Sequence, residues 1–191
     1  MLTKKLKTIA VTGGAGYIGS HCVISLINEG YKPIIVDNFS NSYSGVIKKI
    51  ELITKKKITF YKVDLTDKKK LEKIFKKHNF FSVIHFAGYK AVDESIEKPI
   101  SYYNNNIVST LNLLECMKKN KVYNLIFSSS ATVYNESKSL TLKESGKIGN
   151  TKNPYGSSKF IIEKILMDLA KFDNKWSIRI ARYFNPISNH S

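Results

Sequence analysis

Short runs of continuous apolar residues alternate along this chain with longer stretches in which apolar residues recur every three or four positions. The runs at 8–12, 33–37, 58–62, 82–86, 124–129 and 177–182 have strand length and β-branched or aromatic content. The stretches at 17–28, 67–77, 102–119 and 154–171 have helical periodicity. Leu71, Ile74 and Phe75 fall on one helical face, and Gly30 stands just past the end of the first helix, where a left-handed residue closes a helix. Strands that are apolar throughout, each followed by a helix, predict a parallel sheet covered on both faces. The expectation is one α/β domain over 1–191, a doubly wound sheet of six strands in the order 3-2-1-4-5-6.

Charge and composition change this picture little. The 191 residues carry a net charge of +16, from 31 basic and 15 acidic residues. That balance raises nucleic acid as a partner, but almost all the basic residues are lysines in short scattered runs, such as Lys55-Lys56-Lys57 and Lys68-Lys69-Lys70. Arginine, the residue suited to bidentate base and phosphate contacts, occurs only as Arg179 and Arg182. The lysines are therefore read as solvated faces in a Lys-, Asn- and Ile-rich composition, with no nucleic-acid partner. Cys22 and Cys116 sit in apolar helical surroundings and read as free thiols. His21, His78, His85 and His190 show no metal-ligand spacing. No apolar run is long enough to span a membrane, so a reducing, cytoplasmic setting is expected.

The first strand runs into Thr12-Gly13-Gly14-Ala15-Gly16-Tyr17-Ile18-Gly19 and then into a helix. Glycines at 13, 16 and 19 suit a tight turn, a close backbone approach to a pyrophosphate and packing of the new helix on the strand. The helix start adds free N–H groups and a positive dipole. Asp37 ends the second strand about twenty residues on, where a carboxylate binds ribose hydroxyls and repels a 2′-phosphate. This combination predicts a dinucleotide site that prefers NAD to NADP.

Tyr155 and Lys159 lie in Asn153-Pro154-Tyr155-Gly156-Ser157-Ser158-Lys159. Asn153 suits a helix N-cap and Pro154 the first helical position. A four-residue spacing puts Tyr155 and Lys159 on one helical face. A phenol titrates at about 10 when free, and a neighbouring ammonium lowers that value toward use as a general base. Ser130 follows the fifth strand, at the sheet edge where this architecture binds ligands, and can hydrogen-bond a reacting hydroxyl.

Taken in order, these motifs resemble the extended short-chain dehydrogenase/reductase superfamily, and within it the UDP-glucose 4-epimerases. The resemblance covers essentially the whole chain. It implies cofactor contacts from Gly13, Gly16, Tyr17, Ile18 and Gly19 in the first turn, and from Asp37, Asn38, Phe39, Ser40, Asn41 and Ser42 beside the adenosine ribose. Asp64 and Leu65 would lie beside the adenine. Phe86, Ala87, Gly88 and Lys90 would lie along the cofactor, with Asn105 a further contact. Ser130, Tyr155 and Lys159 match the catalytic set, and Phe184 the nicotinamide side. Ser130, Thr132, Tyr155 and Asn185 would meet a UDP-sugar. The implied reaction interconverts UDP-glucose and UDP-galactose by reversible oxidation at C4, with NAD retained and no metal. A homodimer is implied as in the family. The resemblance also implies a C-terminal substrate lobe, before which this chain is expected to stop.

Some positions depart from the family's pattern. Val63 replaces a glycine near the adenine, Asn135 replaces a glycine after Tyr134, and Ser188-Asn189 alters a small-residue turn. Two other readings compete. A nucleotide-sugar dehydratase needs an added acid and base after the serine, where this chain has Ala131-Thr132-Val133 and no carboxylate. A non-catalytic NAD-binding fragment needs only the first half of the motifs.

Overall fold

The structure, a computed structural model, describes residues 6–135 and 142–187. Its sheet holds β1 (Thr8–Thr12), β2 (Lys32–Asp37), β3 (Thr59–Lys62), β4 (Ser82–His85), β5 (Asn124–Ser130) and β6 (Ser177–Tyr183), all parallel, in the order β3-β2-β1-β4-β5-β6. This is the expected doubly wound sheet. Successive strand residues point to opposite faces, so each continuous apolar run feeds two cores. Ala10, Ile34, Val36, Val83, Leu125 and Phe127 join one cluster. Ile9, Val11, Ile35 and Ile84 join the other.

The helices are α1 (Tyr17–Asn28), α2 (Gly45–Thr54), α3 (Lys68–Lys77), α4 (Val92–Glu97), α5 (Pro99–Tyr103), α6 (Ser109–Lys119) and α7 (Pro154–Phe172). Helix α3 starts at a working cap, Asp67 Oδ1 accepting from the Lys70 amide at 3.1 Å. Helix α7 starts as expected, with Asn153 Oδ1 accepting from Gly156 N at 2.8 Å and Pro154 first in the helix.

Two expectations need correction. Helix α2 was not anticipated. Its apolar face is narrow, with only Ile47 and Ile50 buried, so the segment reads as polar loop in the sequence. The helix expected over 102–119 begins earlier, at α5, and is interrupted by a π turn at Asn104–Val108 before α6. Three consecutive asparagines, Asn104, Asn105 and Asn106, occupy that turn. They are weak helix formers whose amides compete for backbone partners, and a π turn is a usual accommodation near a functional site.

Candidate active site

The carboxyl ends of the strands open into one cavity of about 630 Å³. It reaches from Asp37 and Asp64 at one end to Tyr155, Phe184 and Asn185 at the other. Of the residues singled out from sequence, Gly13, Gly16, Tyr17, Ile18, Gly19, Asp37, Asn38, Ser40, Asn41, Ser42, Asp64 and Leu65 line its first half. Phe86, Ala87, Gly88, Lys90, Asn105, Ser130, Thr132, Tyr155, Lys159, Phe184 and Asn185 line the second. Phe39 is the exception. Its backbone is left-handed, at φ 58°, and its ring packs edge-on against Phe60 at 6.1 Å instead of lining the cleft. Its amide still donates to Asp37 Oδ1 at 2.8 Å. Ser188, Asn189 and His190 lie outside the described residues.

The glycine turn has no room for a side chain at Gly13 or Gly19. Gly13 is left-handed, at φ 68°, and a Cβ there would lie 2.6 Å from Ala87 N. A Cβ at Gly19 would lie 2.2 Å from Gly13 O. No side-chain hydrogen bond caps helix α1 at Gly16, and its first residues, Tyr17 and Ile18, line the cleft, as an anion site at a helix start requires. Asp37 is buried at the end of β2, Oδ2 accepting from Ala15 N at 3.0 Å and Oδ1 also from Ser42 Oγ at 3.3 Å. Asp64 accepts from Asn38 Nδ2 at 2.9 Å and from Thr66, and these bonds hold its carboxyl below the usual range against the opposing effect of burial. Val63, placed among these residues, lines the cavity while its amide donates to Asp37 O at 3.0 Å.

At the other end, Ser130 Oγ accepts from Thr132 N at 3.2 Å and from Thr132 Oγ1 at 3.0 Å. Both acceptor positions are used, so the serine proton is left to point toward Tyr155 or a ligand. Lys159 is buried and donates to Ser128 O at 2.7 Å. Burial lowers its pKa to about 8, and the nearby Glu163 carboxylate opposes that fall. The Lys159 ammonium lies 6.0 Å from the centroid of the Tyr155 ring. The expected lowering of the tyrosine by that ammonium is not found in the protein alone. Burial raises the Tyr155 phenol above its ordinary value, and a hydrogen bond with Ser130 offsets part of the rise. The physical reason is that the ammonium is committed to a backbone carbonyl and the ring is half removed from water.

Two supporting residues were missed by the sequence reading. Asn106 spends its whole amide: Oδ1 accepts from Tyr89 N at 2.7 Å and from Asn105 Nδ2 at 2.9 Å. Its Nδ2 donates to Tyr89 O at 3.1 Å and Ser158 Oγ at 3.0 Å. It thereby fastens the wall segment at Tyr89 to α7; the signal available in sequence was a polar run inside an otherwise helical stretch. His85 is the other. Thr110 Oγ1 donates to Asn106 O at 2.7 Å, so it must accept from His85 Nε2 at 3.0 Å, and His85 Nδ1 then accepts from Thr12 Oγ1 at 2.6 Å. Burial, helped by the Lys159 charge, pushes His85 down to about 3 and keeps the ring neutral.

The family model described as GDP-mannose 4,6 dehydratase matches residues 10–191. The chain belongs to that family. Among its relatives, the UDP-glucose 4-epimerase of Dictyostelium discoideum is 53% identical over 182 residues, covering 95% of this chain and 53% of the relative. The UDP-glucose 4-epimerase of Homo sapiens is 46% identical over 189 residues, covering 96% of this chain and 54% of the relative. The crystal structure of UDP-glucose 4-epimerase from Bifidobacterium longum in complex with NAD+ and UDP has a TM-score of 0.94 and 49% identity. That match covers 96% of this chain and 55% of the other. The resemblance to UDP-glucose 4-epimerases read from the motifs is thus borne out. The chain spans about half the length of the relatives it matches.

Proposed function

We propose that this chain binds NAD and supplies the acid–base groups for interconversion of UDP-glucose and UDP-galactose. One observation carries the reading: the glycine cradle, Asp37, and the Ser130, Tyr155 and Lys159 set line a single continuous cavity. The residues present fit the cofactor. An uncapped helix start suits a pyrophosphate, and a carboxylate at the end of β2 suits an unphosphorylated ribose. The relative from Bifidobacterium longum, whose structure contains NAD+ and UDP, supports the same assignment.

Bound NAD+ would take a hydride from sugar C4 and later return it to the opposite face of the ring. Tyr155, as the phenolate, accepts the proton of the 4-hydroxyl as that C–H bond breaks, and gives it back when the keto oxygen is reduced. Ser130 donates its free proton toward the same oxygen, which stabilises charge as it develops. Burial raises the phenol in the protein alone; Lys159, held by Ser128 O, and the positive nicotinamide ring would together lower the cost of the phenolate when the cofactor is bound. Asn185 meets the sugar and Phe184 covers the nicotinamide end. The acidic residues lining the cavity, among those described, are Asp37 and Asp64, both at the adenosine end. No carboxylate stands where a dehydratase needs its added acid and base, which favours epimerisation over water loss.

Exposed apolar side chains on neighbouring helices, Ile100 on α5, Leu111 on α6 and Ile161 on α7, offer a surface for a second copy of the chain. No helix among the described residues is long and apolar enough to cross a membrane. Cys22 and Cys116 are free thiols, which fits a reducing cytoplasm.

Calorimetric titration with NAD and a coupled assay with UDP-galactose test the proposal. NAD binding with turnover that vanishes in Tyr155→Phe supports it. NAD binding without turnover leaves a non-catalytic NAD-binding chain, and no NAD binding overturns the whole reading.

A further inference from the structure

Behind the catalytic side chains lies a buried ion pair that the chemistry above does not use. Glu163 is fully buried one turn beyond Lys159 on α7. Its Oε1 accepts from Ser129 Oγ at 2.5 Å and from Arg182 Nε at 3.0 Å, and its Oε2 from Arg182 Nη2 at 2.8 Å. Arg182 lies on β6, two residues before Phe184. Its guanidinium stacks 4.7 Å from the centroid of the Tyr134 ring and donates to Glu144 O at 3.3 Å. Tyr134 in turn lies 6.4 Å from Phe184, ring to ring.

These contacts join β5, α7 and β6, the elements that carry or lead into Ser130, Tyr155, Lys159 and Phe184. Ser129 is the neighbour of Ser130 on β5, Glu163 shares α7 with Tyr155 and Lys159, and Arg182 leads into Phe184 and Asn185. The adenosine end is built on β1, β2 and β3, on the other side of β4, and the pair touches none of it.

We infer that the Glu163–Arg182 pair is a positioning clamp that holds the end of β6 in register with the Tyr155/Lys159 helix, shaping the nicotinamide end of the cleft and leaving the adenosine end alone. A buried ion pair repays its desolvation poorly as a source of stability, whereas a forked, two-point pair fixes geometry in a way that apolar packing does not. Glu163 also leaves the cluster of Lys159, Glu163 and Arg182 with one net positive charge in place of two. The clamp rests on the reading of the cleft as an NAD site.

The experiment compares NAD with ADP-ribose, which lacks the nicotinamide, by calorimetry on the wild-type chain, Glu163→Gln and Arg182→Lys. Glu163→Gln keeps shape but loses charge; Arg182→Lys keeps charge but loses the fork. Both variants are expected to bind NAD about tenfold more weakly while ADP-ribose affinity stays within about twofold. Retained ADP-ribose binding and an unchanged circular dichroism spectrum show that the variant is folded. An unchanged ratio of the two affinities in folded variants overturns the clamp, as does equal loss of both. Failure of both variants to fold also overturns it, because the pair would then support the whole fold and not one end of the cleft. Failure of the NAD reading is seen separately, as absence of binding by the wild-type chain.

Discussion

At the scale of single residues, the site keeps its ionisable groups in opposed environments. Lys159 titrates at about 8 when folded and 10.5 when free. Its folded value is depressed, so its contribution to stability is present above 10.5 and lost as pH falls through 8; at neutral pH the charged lysine is a cost. Lys159→Met is therefore expected to raise stability at pH 7 by about 2 kcal/mol, the shift offset by one lost hydrogen bond, and to abolish turnover. Urea unfolding at pH 7 and pH 10 checks this, and a less stable variant at pH 7 would refute it. His85 follows the same rule at lower pH. Its value falls from 6.5 to about 3, so its contribution is present above 6.5 and lost as pH falls toward 3. His85→Gln is expected to remove about 3 kcal/mol of the acid destabilisation between pH 6.5 and pH 4. An unaltered slope of stability against pH in that range would contradict this assignment.

Among the elements, the two ends of α1 separate two uses of one residue. Gly30 is left-handed, at φ 78°, with nothing near its missing Cβ. Gly30→Ala is expected to cost about 1 kcal/mol in thermal unfolding and to leave NAD affinity unchanged. At Gly19 the obstacle is the turn's own carbonyl, so Gly19→Ala must displace the cradle, and NAD affinity is expected to fall by at least about tenfold. Calorimetry on the two variants decides between these outcomes. The glycine spacing made this element legible in sequence because the turn is local: strand, turn and helix follow one another within twelve residues or so. The π turn was not legible. Asn105 and Asn106 are adjacent, yet one lines the cleft and the other is buried against Tyr89 and Ser158. Which of the adjacent asparagines is buried depends on what packs against the turn, which helical periodicity does not encode. Phe39 shows the same limit in reverse, since a left-handed backbone turned a nominated cleft residue onto Phe60.

For the molecule as a whole, the cleft crosses the sheet from β2 and β3 to β5 and β6, so a ligand that fills it ties both halves together. NAD at about a hundred times its dissociation constant is expected to add about 2.7 kcal/mol and raise the melting midpoint by about 5 to 10 °C. NADP should do less, because Asp37 opposes its 2′-phosphate. Equal shifts from the two nucleotides in differential scanning fluorimetry would remove Asp37 from the selective role. The alternation of strands and helices and the strand order were legible along the chain, as was the nomination of the glycine turn, Asp37, Ser130, Tyr155 and Lys159, which the fold brings to one cavity. These rest on periodicity and on short-range spacing, which the chain carries locally. Electrostatics and scaffolding came only with packing. The Lys159 ammonium bonds a strand carbonyl, burial raises the Tyr155 phenol against its hydrogen bond with Ser130, and Asn106 and Glu163 bind partners 17 to 52 residues away. Depth from solvent and long-range hydrogen bonds exist only once the elements pack, so no pattern along the chain could have shown them.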